Sequence, residues 1–340
     1  MGPKVSTQLA KYIVVRTIIY LATIFSGVTI TFLLVKAMPV DAIENILFGI
    51  TQVGQVYDPE TLILLRKTLY EMFGVGENPL ESYFLFLRRV FTFDFGPSII
   101  SYPTPAKELV FRRLHWTVGL LSVSTIVSWL LGNVLGVLAG YMSHKRFAKI
   151  LEAVAITLYP MPYYIMALIL LIAFAFLIPI FPLGGGTSVI AQGLTLEAIL
   201  DMIWHSLLPA LSLIIIGALG WSFLSSRTLT MQTLAEDYIG YAEVRGLPGN
   251  HILRRYILRN ILVPQMTMLG LGLGGIFSGA LLTEVVFTYP GVGSIAYRAI
   301  YSGDLNTLMA VVFTSMIAVA SATYLLDILY PLIDPRVRYR

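Results

Sequence analysis

The 340-residue chain contains no cysteine, which excludes disulfides, thiolate metal centres and thiol nucleophiles outright. Charge is scarce as well. Only 12% of the residues are Asp, Glu, Lys or Arg against 57% hydrophobic, and the mean hydropathy of +0.80 lies far outside the range of a water-soluble domain. The composition is that of an all-α polytopic membrane protein, since apolar spans satisfy their own backbone groups as helices. The motifs of catalysis are missing too: no GxxxxGK[ST] phosphate loop, no HExxH and no GxSxG, so neither ATP hydrolysis nor intramembrane hydrolysis is expected of this chain. Its four histidines, His115, His144, His205 and His251, share no i,i+3 or i,i+4 spacing that would form a metal pair. No cofactor is expected.

A net charge of +4 and a pI near 9.1 raise nucleic acid as a partner. The basic residues, however, sit at the edges of apolar runs, where the positive-inside rule puts them, and nucleic acid is set aside. Six apolar stretches are long enough for a bilayer, which takes about 20 residues: Thr17–Val35, Trp116–Tyr141, Ala153–Ile178, Ser206–Ser226, Ile261–Thr283 and Asn306–Leu326. The first follows Lys4, Lys11 and Arg16, lacks a small-residue cleavage site and reads as a retained helix. Lys145, Arg146 and Lys149, the Arg245–Arg259 cluster and the terminal Arg336, Arg338 and Arg340 fall on the same side. Both ends, the 142–152 turn and the 227–260 loop are therefore expected in the cytoplasm. This divides the chain into 1–38 with the first span, an extracytosolic segment 39–115, and a five-helix core 116–340.

Within the outer segment, Leu62, Leu65, Leu69 and Met72 after Pro59-Glu60 form an amphipathic helix stopped at Gly74 and Gly76, and Pro79 to Val90 forms a second. Together they read as a small cap over the outer mouth. The second span carries Ser124, Ser128, Gly132, Gly136 and Gly140, a small residue every fourth position that lets two helices approach closely in lipid. Asn133 is a polar group at depth and a candidate for a pathway. Tyr159-Pro160-Met161-Pro162-Tyr163-Tyr164 marks a bend, because each proline removes a backbone donor, and its tyrosines Tyr159, Tyr163 and Tyr164 are pathway candidates as well. The Pro179–Gly193 loop, with Gly184-Gly185-Gly186, reads as flexible and extracytosolic. Gly270, Gly272, Gly274, Gly275 and Gly279 make the fifth span a close-packing surface for a partner.

One long polar stretch interrupts the apolar two-thirds, Glu236 to Pro264. Leu234, Tyr238, Tyr241 and Ala242 recur at i, i+4, i+7 and i+8, one helix face, and Arg245-Gly246-Leu247-Pro248-Gly249 carries stop signals. A second helix follows with Leu253, Tyr256, Ile257 and Ile261 as its apolar stripe. The alternatives for such a stretch are a basic helix lying on the anionic leaflet or a docking element.

Asp237, Tyr238, Ala242, Arg245, Gly246, Leu247, Arg259, Asn260 and Pro264 resemble the cytoplasmic coupling loop of ABC importer permeases of the peptide/oligopeptide type, with Val244 where the family usually has alanine and Glu243 where a basic residue is common. The Glu284-Val-Val-Phe-Thr-Tyr-Pro-Gly-Val-Gly293 run resembles the family's Glu-…-Phe-…-Pro-Gly-…-Gly signature, and Asp327 with Asp334-Pro335-Arg336 its C-terminal pattern. The better-matched portion begins near Leu109; upstream, Phe93-Asp94-Phe95-Gly96 stands where the family has Gly-Asp-Leu-Gly. The resemblance implies six transmembrane helices in a type I ABC importer permease fold. It also implies a second homologous permease subunit, two ATP-binding subunits holding ATP and Mg, and an extracytosolic substrate-binding protein. Cargo would be oligopeptides, oligosaccharides or nickel, and Asp237, Tyr238, Ala242, Arg245, Gly246 and Leu247 would contact the ATPase, Tyr238 and Ala242 as the docked face. An ion-coupled secondary transporter is the first alternative, and it would need ionisable groups at mid-span; Glu152, Glu284 and Asp327 all fall at span edges. A membrane scaffold is the second, and it leaves bent, glycine-rich helices without a purpose.

Overall fold

The computed structural model describes residues 3–37, 58–73, 79–188, 195–276 and 280–333, which are helices and their connections with no strand among them. Helix α1 (Pro3–Ala37) runs antiparallel to the last helix, α12 (Leu305–Ile333). Their seam pairs Tyr12 Oη with the Asp327 carbonyl at 2.8 Å, Thr17 with the Tyr324 hydroxyl at 2.8 Å and Tyr20 with Ser321 at 3.0 Å. Arg16 Nη1 reaches Asp327 Oδ2 at 3.0 Å in the same seam.

Four helices are long and apolar enough to cross a membrane: Lys11–Leu34, Ala106–Tyr141, Leu196–Leu234 and Leu305–Ile328. A fifth crossing arises if the bent pair α5 (Arg146–Leu158) and α6 (Tyr163–Leu177) counts as one. The expected single span Ala153–Ile178 is therefore two helices at 103°, because Pro160 and Pro162 remove donors and Pro162 pushes its predecessor out of helical geometry. The second expected span is α4 (Ala106–Tyr141), which begins ten residues earlier than Trp116. The fourth is the continuous helix α7 (Leu196–Leu234), opened by Thr195, whose hydroxyl accepts from the Ala198 amide at 3.2 Å. A π-helical turn, Ala218–Ser222, interrupts it midway. The fifth expected span, Ile261–Thr283, corresponds to α9 (Leu258–Gly275), whose 18 residues rise only about 27 Å. Four to five crossings are thus seen among the described helices, and residues 277–279 of the expected fifth span lie outside them.

Two other expectations change. Gly270 and Gly274 lie against Leu326, with Ala322 also beside Gly274, and Gly272 faces Thr125, so these three small residues seat α9 within this chain, on α12 and α4. The 181–188 part of the expected flexible loop is packed: the Gly185 amide donates to the Phe287 carbonyl at 2.9 Å, and Gly186 abuts Pro290. Asp201 takes the Ser188 amide and hydroxyl at 2.6 Å each. Residues 189–193 of that loop, like Gly74, Gly76, Gly279 and Asp334–Arg336, lie outside the described residues.

In the outer segment, helices α2 (Pro59–Phe73) and α3 (Pro79–Thr92) fall where the apolar periodicity puts them. Their expected role as a cap over a mouth does not fit α3, which lies along the flank of the bundle. Phe86 and Val90 join Ile24, Val28, Phe95 and Phe313 in one apolar cluster. The following turn is pinned by buried Asp304, which accepts from Ser98 Oγ at 2.6 Å, the Ile99 amide at 2.8 Å and Thr307 Oγ1 at 2.7 Å.

Candidate functional site

Three features lie along the axis of the bundle: a cavity in the middle, a hub of buried polar groups at one end and a helical loop at the other. The cavity, about 640 Å³, lies between α4, α6, α7 and α9. Ser124, Thr125 and Ser128 of α4 line it, and Trp129, Tyr163, Tyr164 and Trp221 supply aromatic walls. No charged side chain lines it. Ser124 Oγ is buried without a hydrogen-bond partner in the chain, an arrangement that costs free energy unless a water or ligand completes it.

The small-residue stripe of α4 therefore serves two ends. Its lower half packs: a methyl group on Gly136 would fall 2.8 Å from Ser226 Cβ and one on Gly140 2.7 Å from Thr230 Cβ, both on α7, as expected of small residues between helices in lipid. Its upper half, Ser124 and Ser128, borders the cavity, with Ser128 also set against Gly217 of α7. Of the expected pathway residues, Tyr163 and Tyr164 line it. Tyr159 stands behind it, stacked on Trp221 with ring centroids 6.2 Å apart. Asn133 is turned to packing, donating to the Trp129 carbonyl at 2.7 Å and accepting from Ser226 Oγ on α7.

The hub centres on Glu284 in α10 (Leu281–Val286), a fully buried carboxylate just beyond the expected fifth span. It accepts from Thr117 Oγ1 of α4 at 2.7 Å and from the Ser294 amide at 3.1 Å, while Thr117 in turn accepts from the Val292 amide at 2.8 Å. These bonds clamp α11 (Val292–Ser302) and α10 to α4. Family resemblance alone marked Glu284, since its partners lie in distant stretches of chain.

At the other end, α8 (Asp237–Val244) begins three residues after α7 ends. Ile239 and Ala242 turn inward, 1% and 4% exposed, against Val137, Ile252, Ile257 and Ile261. The outward face is Tyr241 and Val244, 74% and 89% exposed, with Tyr238 at 40%. The face expected from Leu234, Tyr238, Tyr241 and Ala242 is thus split: burying two aliphatic side chains three residues apart overrides the tyrosine spacing, and Ala242 is not available for contact. Asp237, Arg245 and Gly246 are exposed and Leu247 is half-buried. Gly246 ends the turn at φ +71°, a left-handed conformation that glycine adopts without strain. Tyr238 Oη accepts from Asn260 Nδ2 at 2.7 Å, fastening α8 to the start of α9. A short turn, Gly249–Ile252, and a π-helical stretch, Leu253–Ile257, join the two, with Ile257 and Ile261 buried as the second apolar stripe requires. Arg227 Nη2 of α7 holds Glu152 Oε2 of α5 at 2.7 Å beside this loop.

Comparison with known families decides what this arrangement belongs to. Residues 132–339, more than half of the chain, match the family described as binding-protein-dependent transport system inner membrane component. The chain belongs to that family. The matched stretch of this inner membrane component contains α8, the hub glutamate and most of the cavity walls, but begins after Ser124 and Ser128. Individual relatives extend further. The oligopeptide transport system permease protein AppB of Bacillus subtilis is 29% identical over 335 residues, 97% of this chain and 100% of its own length. The dipeptide transport system permease protein DppB of Lactococcus lactis is 27% identical over 334 residues, again 97% and 100%. The oligopeptide transport system permease protein OppB of Mycobacterium tuberculosis is 28% identical over 250 residues, 72% of this chain and 76% of its own.

Proposed function

We propose that this membrane-integral chain is the transmembrane permease subunit of an ABC importer that moves oligopeptides or similar oligomers into the cytoplasm by alternating access. Its partners in this reading are a second homologous permease subunit, two ATP-binding subunits that hold ATP and Mg, and an extracytosolic substrate-binding protein. Both termini and α8 face the cytoplasm. The observation that carries the reading is the exposed outer face of α8 on a helix locked to the bundle through Ile239, Ala242 and the Tyr238–Asn260 bond, in a chain of a family whose relatives are peptide permeases.

The mechanism follows from that geometry. Tyr241 and Val244 dock on an ATPase, flanked by Asp237 and Arg245, and closure of the two ATPases displaces α8. Because α8 is fastened to α9 and α4 and follows directly on α7, the displacement reaches the helices that line the cavity. Work is transmitted only if α8 makes different contacts in the two states. The cavity suits cargo of variable sequence: its lining is mostly apolar and aromatic, and it offers no fixed charge to select or reject a side chain.

The test is co-purification of a tagged chain expressed with its neighbouring genes. Val244→Asp places a charge on an 89% exposed position, so the chain should insert and fold yet lose its ATPase subunits and ATP-dependent peptide uptake. Ala242→Glu should instead lower the yield of folded chain, since an unpaired charge would be buried. Wild-type chain that retains uptake but recruits no ATPase would replace the importer with an ion-coupled carrier.

A further inference from the structure

Helix α3 carries a surface the transport reading does not use. At about 100° per residue, its side chains sort into three sectors. Ser82, Phe86 and Val90 are buried against the bundle. Leu80, Phe84 and Phe91 form a second sector, 68%, 67% and 61% exposed, with half-buried Leu87 at its edge. Glu81, Arg88 and Thr92 form a third, also exposed, in which Leu85 is the one apolar residue. A helix lying in water has no use for two exposed phenylalanines on one stripe, and a helix buried in a membrane has none for a polar stripe.

Two contacts fix its depth. Tyr83 Oη bonds Thr29 Oγ1 at 2.7 Å, and Phe86 packs on Phe32 with centroids 5.3 Å apart. Thr29 lies five residues inside the end of the Lys11–Leu34 span, about 8 Å along its axis. On the other side Phe93, the residue after α3, meets Phe313 at 5.5 Å, eight residues inside the Leu305–Ile328 span and about 12 Å from its end. The apolar sector is thus level with apolar residues of α1 that are themselves exposed, Phe25, Ile30 and Leu33, and continues their surface.

We propose that α3 is an interfacial helix sunk into the extracytosolic leaflet, with Leu80, Phe84 and Phe91 among the lipid acyl chains and Glu81, Arg88 and Thr92 at the headgroups. Its depth is that of amphipathic helices lying in the headgroup–acyl boundary. The partner is the lipid surface itself, and the inference rests on the membrane spans, not on the cargo or the ATPases.

The cysteine-free chain permits a direct test. Single substitutions Leu80→Cys, Phe84→Cys, Phe91→Cys and Glu81→Cys, each carrying an NBD label, are placed in the full chain in phosphatidylcholine–phosphatidylglycerol nanodiscs, alone and with the co-expressed neighbouring subunits. Labels at 80, 84 and 91 should emit to the blue of the label at 81. Shallow doxyl-lipid should quench them at least twofold more than aqueous iodide does, with the order reversed at 81. Stronger quenching by iodide at 84 and 91 would overturn the proposal in favour of a water-facing helix. Loss of doxyl quenching only when the other subunits are present would overturn it in favour of a protein-covered face. All four positions are exposed, so one variant that fails to insert leaves the others to decide, and ATPase co-purification is read separately.

Discussion

Ser124 and Glu284 show the two fates of a polar side chain set among apolar ones. Glu284 is matched by Thr117 and the Ser294 amide, so Glu284→Ala strands those donors at about 1–3 kcal/mol each. The thermal unfolding midpoint of the purified chain should fall by several degrees, whereas Glu284→Gln, which keeps an acceptor, should lose less. Ser124 has no partner to strand. Ser124→Ala should leave the unfolding midpoint within about 1 °C of wild type, a shift well below the ~1 kcal/mol level, while Ser124→Trp should fill the cavity and abolish uptake with ATPase subunits still bound. Sequence could reveal Tyr163 and Tyr164, because the adjacent prolines announce a bend where irregular backbone must line a cavity or be buried in protein. The packing role of Asn133 was not legible: the Ser226 hydroxyl that it accepts from lies 93 residues away, and no local pattern records such a pairing.

Helices were legible where one periodicity dominates and misread where two compete. The small-residue stripe of α4 gave its packing face correctly. Gly136→Val should force α4 and α7 apart, since even a methyl group would stand 2.5 Å from the Phe223 carbonyl oxygen; overpacking of this kind costs about 1–3 kcal/mol, visible as a lowered melting temperature in detergent. In α8, eight residues offer both a tyrosine-rich and an aliphatic face, and only the neighbouring Val137, Ile257 and Ile261 decide which one is buried. For the glycines of α9, spacing reveals that a helix is approached closely but not by what; Gly270 and Gly274 meet α12.

For the molecule as a whole, hydropathy found the membrane and the helical class, while the Pro160–Pro162 break turns one apolar run into two helices at 103°. The segment before α4 was the least legible: its helices were visible, while their attachment depends on contacts such as Asp304 with Ser98, 206 residues apart. Sidedness is open to measurement. A membrane-impermeant maleimide should label Tyr102→Cys in intact cells, and Val244→Cys only after permeabilisation. The opposite pattern would invert the proposed orientation.

Helix α7 has one more consequence. Its 39 residues span about 58 Å, from Leu196, just before Asp201 and its grip on Ser188, to the short link before α8. An α-helix is stiff along its axis, so its two ends behave as the ends of one pushrod: a displacement at the α8 end is carried to the Leu196 end with almost no joint. The exception is the π-turn at Ala218–Ser222, which sits at the cavity wall. Any compliance in the rod is therefore concentrated at the cavity wall, between its two stiff arms.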